Sequence, residues 1–257
     1  MGAGTLPCTD QDRSWMCVTG LVTALRAEAG CVSSRRIPFN EMVQIDDQAI
    51  LWLSGMGAQA ARTGAEGLLQ QGVTGLVSFG VAGALSSHLK PGDLVLPEAI
   101  HSTEQLSVNM SWRNRLQQLL PVDIVVFGGL LADSPVPLTS EKAKMELAHA
   151  TGACAVDMES GAIAAIAAKA GVPFIAVRAI VDPIQFSPPQ ALFGAVYPDG
   201  SVDPLRLMTL LLKRSVHLRT LMQMGVGMRA ARKTLSRVIQ SAGVGLDSQE
   251  IDRLAVA

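Results

Sequence analysis

The sequence of 257 residues predicts an α/β fold with a central mixed, largely parallel sheet flanked by helices. Three observations predict it. Short apolar runs alternate with Ala- and Leu-rich stretches of helical length. Glycine or proline turns stand where the runs end. Residues are 49% hydrophobic and only 17% charged, enough apolar surface to cover both faces of a sheet without disulfides or structural metal. Residues 1–14 are expected to form a loose extension, 15–200 the α/β domain, and 201–257 extra C-terminal helices packed on the same domain.

The elements follow in order. Residues 16–21 form a short apolar run, a buried strand. Residues 48–53 form the next, and Ser54-Gly55-Met56-Gly57 turns it into a helix over 58–70. Residues 75–79 give a third strand, running into a glycine-rich loop, Gly80-Val81-Ala82-Gly83. Pro91-Gly92 precedes a strand at 93–96. Residues 122–131 are one long β-branched run, broken by Pro135 and Pro137. A helix is expected over 140–150, a short strand over 153–156, and an Ala-rich helix over 158–170. Gly171-Val172-Pro173 stops that helix before a last strand over 174–181. In such sheets ligands sit outside the carboxyl ends of the strands. Attention therefore falls on residues 20–28, 54–57, 80–85, 157–159 and 181–183.

Charge excludes some functions. There are 21 Lys and Arg against 22 Asp and Glu. A globally basic nucleic-acid coat and a disordered chain are both ruled out, so no nucleic-acid partner is expected. The balance is uneven, because residues 204–240 hold eight bases and no acid. A helical wheel over 205–222 puts Leu205, Met208, Leu211, Leu212 and Met222 on one side, with Arg206, Lys213 and His217 opposite. Met228, Ala231, Leu235 and Val238 form a second stripe. Such helices either pack on the sheet or a neighbouring subunit, or lie on an anionic lipid surface. Cys8, Cys17, Cys31 and Cys154 have no metal or disulfide spacing and read as reduced thiols. His88, His101, His149 and His217 form no metal pattern. The first residues carry no secretory h-region, so a cytoplasmic protein is expected.

Each strand end has two readings. Gly55-Met56-Gly57-Ala58-Gln59-Ala60 fits G-x-G-x-x-A, but the next strand ends without the carboxylate that a dinucleotide ribose needs, which favours a plain strand–helix turn over a nucleotide-binding oxidoreductase. The loop at Gly80 is either ordinary turn chemistry or a place where backbone approaches a ligand. Glu159 in Asp157-Met158-Glu159-Ser160 either caps a helix or accepts hydrogen bonds from a vicinal diol. Asp182 is either a turn residue before Pro183 or an acid at the mouth of an apolar strand. Taken alone, Glu28 reads as a solvated helix residue.

Taken together, these sites resemble the nucleoside phosphorylase / methylthioadenosine–adenosylhomocysteine nucleosidase superfamily. The resemblance spans roughly residues 16–185. It runs through 24–29, Leu53-Ser54-Gly55-Met56-Gly57, 79–85 with Lys90-Pro91-Gly92-Asp93-Leu94-Val95, Ala155-Val156-Asp157-Met158-Glu159-Ser160-Gly161-Ala162, and Val177-Arg178-Ala179-Ile180-Val181-Asp182. The chain looks most like the hopanoid-biosynthesis-associated branch, echoed by Ser187-Pro188-Pro189-Gln190-Ala191-Leu192 and the basic C-terminal helices.

That resemblance implies a nucleoside phosphorylase-like fold and a set of roles. Asp182 matches the acid that protonates N7 of a departing purine, and Glu28 the carboxylate that positions the attacking water. Glu159 matches the carboxylate holding the ribose hydroxyls, with Met158 beside the sugar. Gly80, Val81, Ala82 and Gly83 match the loop lining sugar and nucleophile, and Arg178 an arginine that nucleosidases also carry. The loop at 133–139, around Val136, is the expected purine-stacking position. Val81 and Val181 stand where nucleosidases commonly have serine. Two carboxyl groups in opposite protonation states suit a reaction that leaves negative charge on the base and positive charge on the sugar.

Hydrolysis is expected over phosphorolysis, since Ser78-Phe79 offers no arginine and Glu28 would repel phosphate. The branch implies adenine release from adenosylhopane, a lipid-linked nucleoside. It also implies no cofactor (inorganic phosphate as co-substrate in a phosphorylase), a homo-oligomer, and peripheral contact with the inner face of the membrane. A catalytically silent nucleoside-binding protein is the competing class.

Overall fold

The computed structural model describes residues 17–186, 188–201, 203–213 and 216–247. The extension expected at 1–14, Cys8, Ser187 and Arg214 lie outside them. The chain enters on β1 (Thr19–Thr23), α1 (Arg26–Val32), β2 (Met42–Gln44) and β3 (Ala49–Leu53). α2 (Ala58–Gln70) leads to β4 (Gly75–Ala84). Then come β5 (Leu94–Val95), β6 (Ala99–His101), β7 (Gln105–Ser107), α3 (Met110–Leu119), β8 (Val126–Phe127) and β9 (Leu130–Asp133). α4 (Glu141–Thr151), β10 (Ala155–Asp157), α5 (Ser160–Ala170) and β11 (Phe174–Asp182) complete the sheet. A 3-10 turn over Gln190–Ala195, α6 (Pro204–Leu212) and α7 (Leu218–Ala242) follow.

The fold is a mixed α/β sheet with helices on both faces, as the alternation predicts. β4 is its spine. β1 pairs with it in parallel from Gly75 to Ser78, and β11 in parallel from Leu76 to Gly83. β10 pairs antiparallel at Gly83 and Ala84. Side chains alternate across the sheet, as pleating requires. Leu21, Leu51 and Val77 face a core completed by Trp112, Leu116, Ala231 and Leu235 from α3 and α7. Val22, Ile50 and Leu76 face the opposite core with Ala61, Leu68 and Ile163 from α2 and α5.

Several expectations shift. Of the run expected at 16–21, residue 16 lies outside the described residues and the strand begins at Thr19, and the element at 93–96 shrinks to Leu94–Val95. Residues 122–131 are two strands rather than one run, with Gly128 and Gly129 between them; Val122 is fully exposed. The helix expected from residue 158 starts at Ser160. The largest correction concerns Gly80-Val81-Ala82-Gly83, which is not a loop but the second half of β4. β11 and β10 supply the ladder bonds that a glycine-rich segment lacks the propensity to secure by itself. β2, β6, β7 and α3 carry no sequence signal read above, whereas α1 is the helix expected around Glu28.

The two C-terminal stripes fare differently. Ala231, Leu235 and Val238 of α7 are buried, and Gly227 meets the carbonyl of Val181 closely enough to exclude any side chain. α6 buries no residue at all, and Leu205, Met208, Leu212, Leu218 and Met222 are exposed. No described helix is long and apolar enough to cross a membrane.

Candidate active site

The charged residues of the site collect along Gly80–Gly83 of β4, near the carboxyl ends of β1, β3 and β11. Glu28 sits in the first turn of α1 and is only 1% exposed. Its Oε2 accepts from the backbone N–H groups of Ala24 (2.9 Å) and Leu25 (2.8 Å), and its Oε1 from Val81 N (2.8 Å). Folding α1 onto the end of β1 thus buries the carboxylate against β4. Burial raises its pKa, opposed by Arg178 and the three N–H donors. The expectation of a solvated helix residue is overturned, because the nonlocal Val81 N–H completes its shell.

Arg178 of β11 lies beside Gly80 and is 2% exposed. It pairs with Asp157 Oδ2 at 2.7 Å and donates to Ser160 Oγ (3.1 Å) and to Ser78 Oγ. Asp157 in turn accepts from the Ser160 hydroxyl. Sequence reasoning missed Asp157, Ser78 and Ser160 as a group. Asp157 and Ser160 lay inside the motif around Glu159, but nothing local links them to Ser78.

Glu159 stands at the start of α5 and is 8% exposed. Its Oε1 accepts from Gly57 N at 2.7 Å and its Oε2 from Met158 N at 3.3 Å. Gly57 has φ 96°, a conformation glycine adopts freely, and it opens α2. So the helix N-terminus that a dinucleotide phosphate would need already faces a protein carboxylate. Burial and then the neighbouring Asp157 raise Glu159 to about 7. Asp133, on β9, is raised to about 6 by burial and by Asp157. It takes a hydrogen bond from Ser102 on Oδ2 (3.2 Å), while its buried Oδ1 has no partner.

Asp182 ends β11, just past a register shift that follows Ile180. Its Oδ1 lies 3.3 Å from where a Cβ on Gly83 would stand. Burial raises its pKa, and Lys144 works against that. Lys144, buried in α4, pairs with Asp182 and was not anticipated, since a lysine among Lys142 and Glu146 looks solvated. Beside Asp182 opens a cavity of about 670 Å³, lined among others by Val181, Phe186, Met222, Met224 and Val226.

The structure therefore gathers Glu28, Arg178, Gly80 and Val81 in one cluster, with Glu159 and Met158 next to it and Asp182 further along β11 from Arg178, beside Gly83. Ala82 is buried between them. Val136 is 59% exposed, and Ser134 Oγ donates to its carbonyl. The expected stacking position is thus on the surface, where the prolines at 135 and 137 hold the segment out of the sheet. Among the described residues no group of three His, Cys, Asp or Glu is arranged to hold a metal ion.

Comparisons with known proteins bear on this arrangement. Residues 35–213 match the family described as the phosphorylase superfamily. No curated protein matches the sequence. Futalosine hydrolase of Helicobacter pylori superposes with a TM-score of 0.67 at 18% identity, covering 88% of this chain and 97% of its own. The 5′-methylthioadenosine/S-adenosylhomocysteine nucleosidase of the same organism gives 0.67 at 18% identity, covering 88% and 97%. The corresponding Neisseria meningitidis nucleosidase, solved with methylthio-immucillin-A, gives 0.68 at 14% identity, covering 91% and 99%. These neighbours share the fold of this chain.

Proposed function

The chain belongs to the phosphorylase superfamily, and from that premise we propose that it hydrolyses the N-glycosidic bond of a 5′-substituted adenosine, releasing adenine. Asp182 delivers a proton to N7 of the purine. Glu159 accepts hydrogen bonds from the ribose 2′- and 3′-hydroxyls, with Met158 beside the sugar. Glu28 orients and deprotonates the attacking water. Gly80–Gly83 lets the sugar approach the strand closely.

The observation that carries this reading is the buried Glu28 carboxylate beside arginines that are already paired. Arg178 is held by Asp157, Ser78 and Ser160, and Arg26 by Asp199 and the carbonyl of Ile37. A phosphate nucleophile would need a free cation where Glu28 places a negative charge. Water needs only an acceptor, which Glu28 supplies when ionised. The Helicobacter pylori and Neisseria meningitidis neighbours, a futalosine hydrolase and nucleosidases by description, agree with hydrolysis.

For the 5′ group we propose an apolar lipid, with adenosylhopane as the substrate and hopanoid synthesis as the setting. The apolar lining of the cavity beside Asp182 and the exposed apolar side of α6 support it. The protein would then be cytoplasmic, homo-oligomeric and peripherally bound at the inner face of the membrane, with residues 201–257 acting as part of the 15–200 domain. Adenine release from adenosylhopane, measured with and without phosphate, tests the reaction. Equal rates and a free ribosyl product are expected. Strict dependence on phosphate would replace hydrolysis by phosphorolysis, and the absence of any released purine would end the reading.

A further inference from the structure

We propose that Lys144 is the proton source behind Asp182, so that the two side chains hold one proton jointly and that proton passes from Lys144 through the Asp182 carboxyl to the departing purine. This rests on the hydrolytic reading, in which Asp182 faces the base.

The geometry is specific. Lys144 reaches from α4 to the end of β11 and is 2% exposed, whereas Lys142 and Glu146 on the same helix have side chains 85% and 67% exposed. Its Nζ donates to Asp182 Oδ2, to the carbonyl of Pro183 at 3.0 Å and to that of Phe186 at 3.0 Å. An ammonium has three N–H donors, and here each finds an acceptor. Lys144 therefore fixes the turn after β11 as well as the carboxyl. Gly83 of β4, which pairs with Asp182 across the sheet, brings no charge. Arg219 of α7 lines the cavity on its exposed side. Asp133 and Asp157 bear instead on Glu159 and Arg178.

Burial disfavours the Asp182 charge, so the protonated carboxyl lies closer in free energy to the ion pair than it would in water. The step then balances. The C1′–N9 bond breaks and its electron pair goes to the purine. The one shared proton passes from Lys144 Nζ to the Asp182 carboxyl and from there to N7, which leaves Asp182 ionised and Lys144 a neutral amine. The attacking water bonds to C1′ and loses a proton to Glu28, and release of that proton through solvent restores Lys144. Lys144 touches no reacting atom and is a positioning residue that acts through Asp182.

The test is the pH dependence of kcat for adenine release in the wild type, Lys144→Met, Lys144→Arg and Asp182→Asn. With Lys144→Met the carboxyl must keep its own proton, so the alkaline limb should move down by about a pH unit or more, the usual consequence of losing a shared proton. Lys144→Arg keeps a cation, but a guanidinium does not give up its proton, and purine release should fall as far as in Asp182→Asn. An alkaline limb that stays put or moves up in Lys144→Met, as a simple ion pair would give, or a wild-type rate in Lys144→Arg, overturns the proposal; if the methionine variant does not fold, the arginine variant decides. A wild type that releases no purine, or a fully active Asp182→Asn, refutes the hydrolytic reading itself and is separable from either Lys144 result.

Discussion

The Glu28 carboxylate fills the space in which a side chain on Gly80 would stand. A Cβ at residue 80 would lie 2.5 Å from Glu28 Oε1 and 2.7 Å from its Cδ, and would also meet the Arg178 guanidinium. Neither group can swing aside cheaply, since backbone N–H donors pin Glu28 and Asp157 holds Arg178. Gly80→Ala is therefore expected to cost about 1–3 kcal/mol of stability, the usual range for overpacking. It should also depress adenine release strongly. Thermal unfolding together with steady-state turnover checks both, and a variant with native stability and rate would contradict the packing.

Glu28→Gln keeps the shape of the side chain but removes its basicity and sets an amide NH₂ against backbone donors. Adenine release is expected to fall by roughly 10²- to 10⁴-fold, the range for losing a general base. Because burial raises the Glu28 pKa, the wild-type rate should fall on acidification at a higher pH than an ordinary carboxylate would give. That acid limb should be absent from the residual activity of the variant. A kcat–pH profile of both proteins decides it.

Burial and the neighbouring Asp157 raise Glu159 to about 7 and Asp133 to about 6. Both folded-state values lie above the unfolded ones, so the native state binds protons more tightly. Their stabilising contribution is complete below about pH 4 and is lost as pH rises through 6 and 7. Denaturant unfolding should thus show lower stability at pH 8 than at pH 5. Glu159→Gln should flatten that slope while weakening substrate binding. A steeper slope in the variant would be inconsistent with a raised Glu159.

The exposed apolar side of α6 leads to a fourth expectation. The chain should co-sediment with anionic vesicles, and salt should weaken that binding because the 204–240 segment is basic. Leu205 and Leu212 are 80% and 78% exposed and bury nothing, so replacing both with Glu should abolish vesicle binding without lowering the rate on a small soluble adenosine analogue. Persistence of vesicle binding in that double variant would remove α6 from the contact.

Much of this protein could be read along the chain. Alternating apolar runs and glycine turns specify the strands, because backbone propensity and side-chain period are local properties. Asp182 and Glu159 were legible as carboxylates next to such runs. Other features depend on partners far away in sequence. Gly80–Gly83 becomes strand only because residues near 156 and 178 pair with it. Glu28 leaves solvent because an N–H donor 53 positions away completes its hydrogen bonds. Lys144 turns inward because Asp182, 38 positions on, balances its charge. Whether a polar side chain is buried depends on whether the folded chain can satisfy it, and no local pattern encodes that.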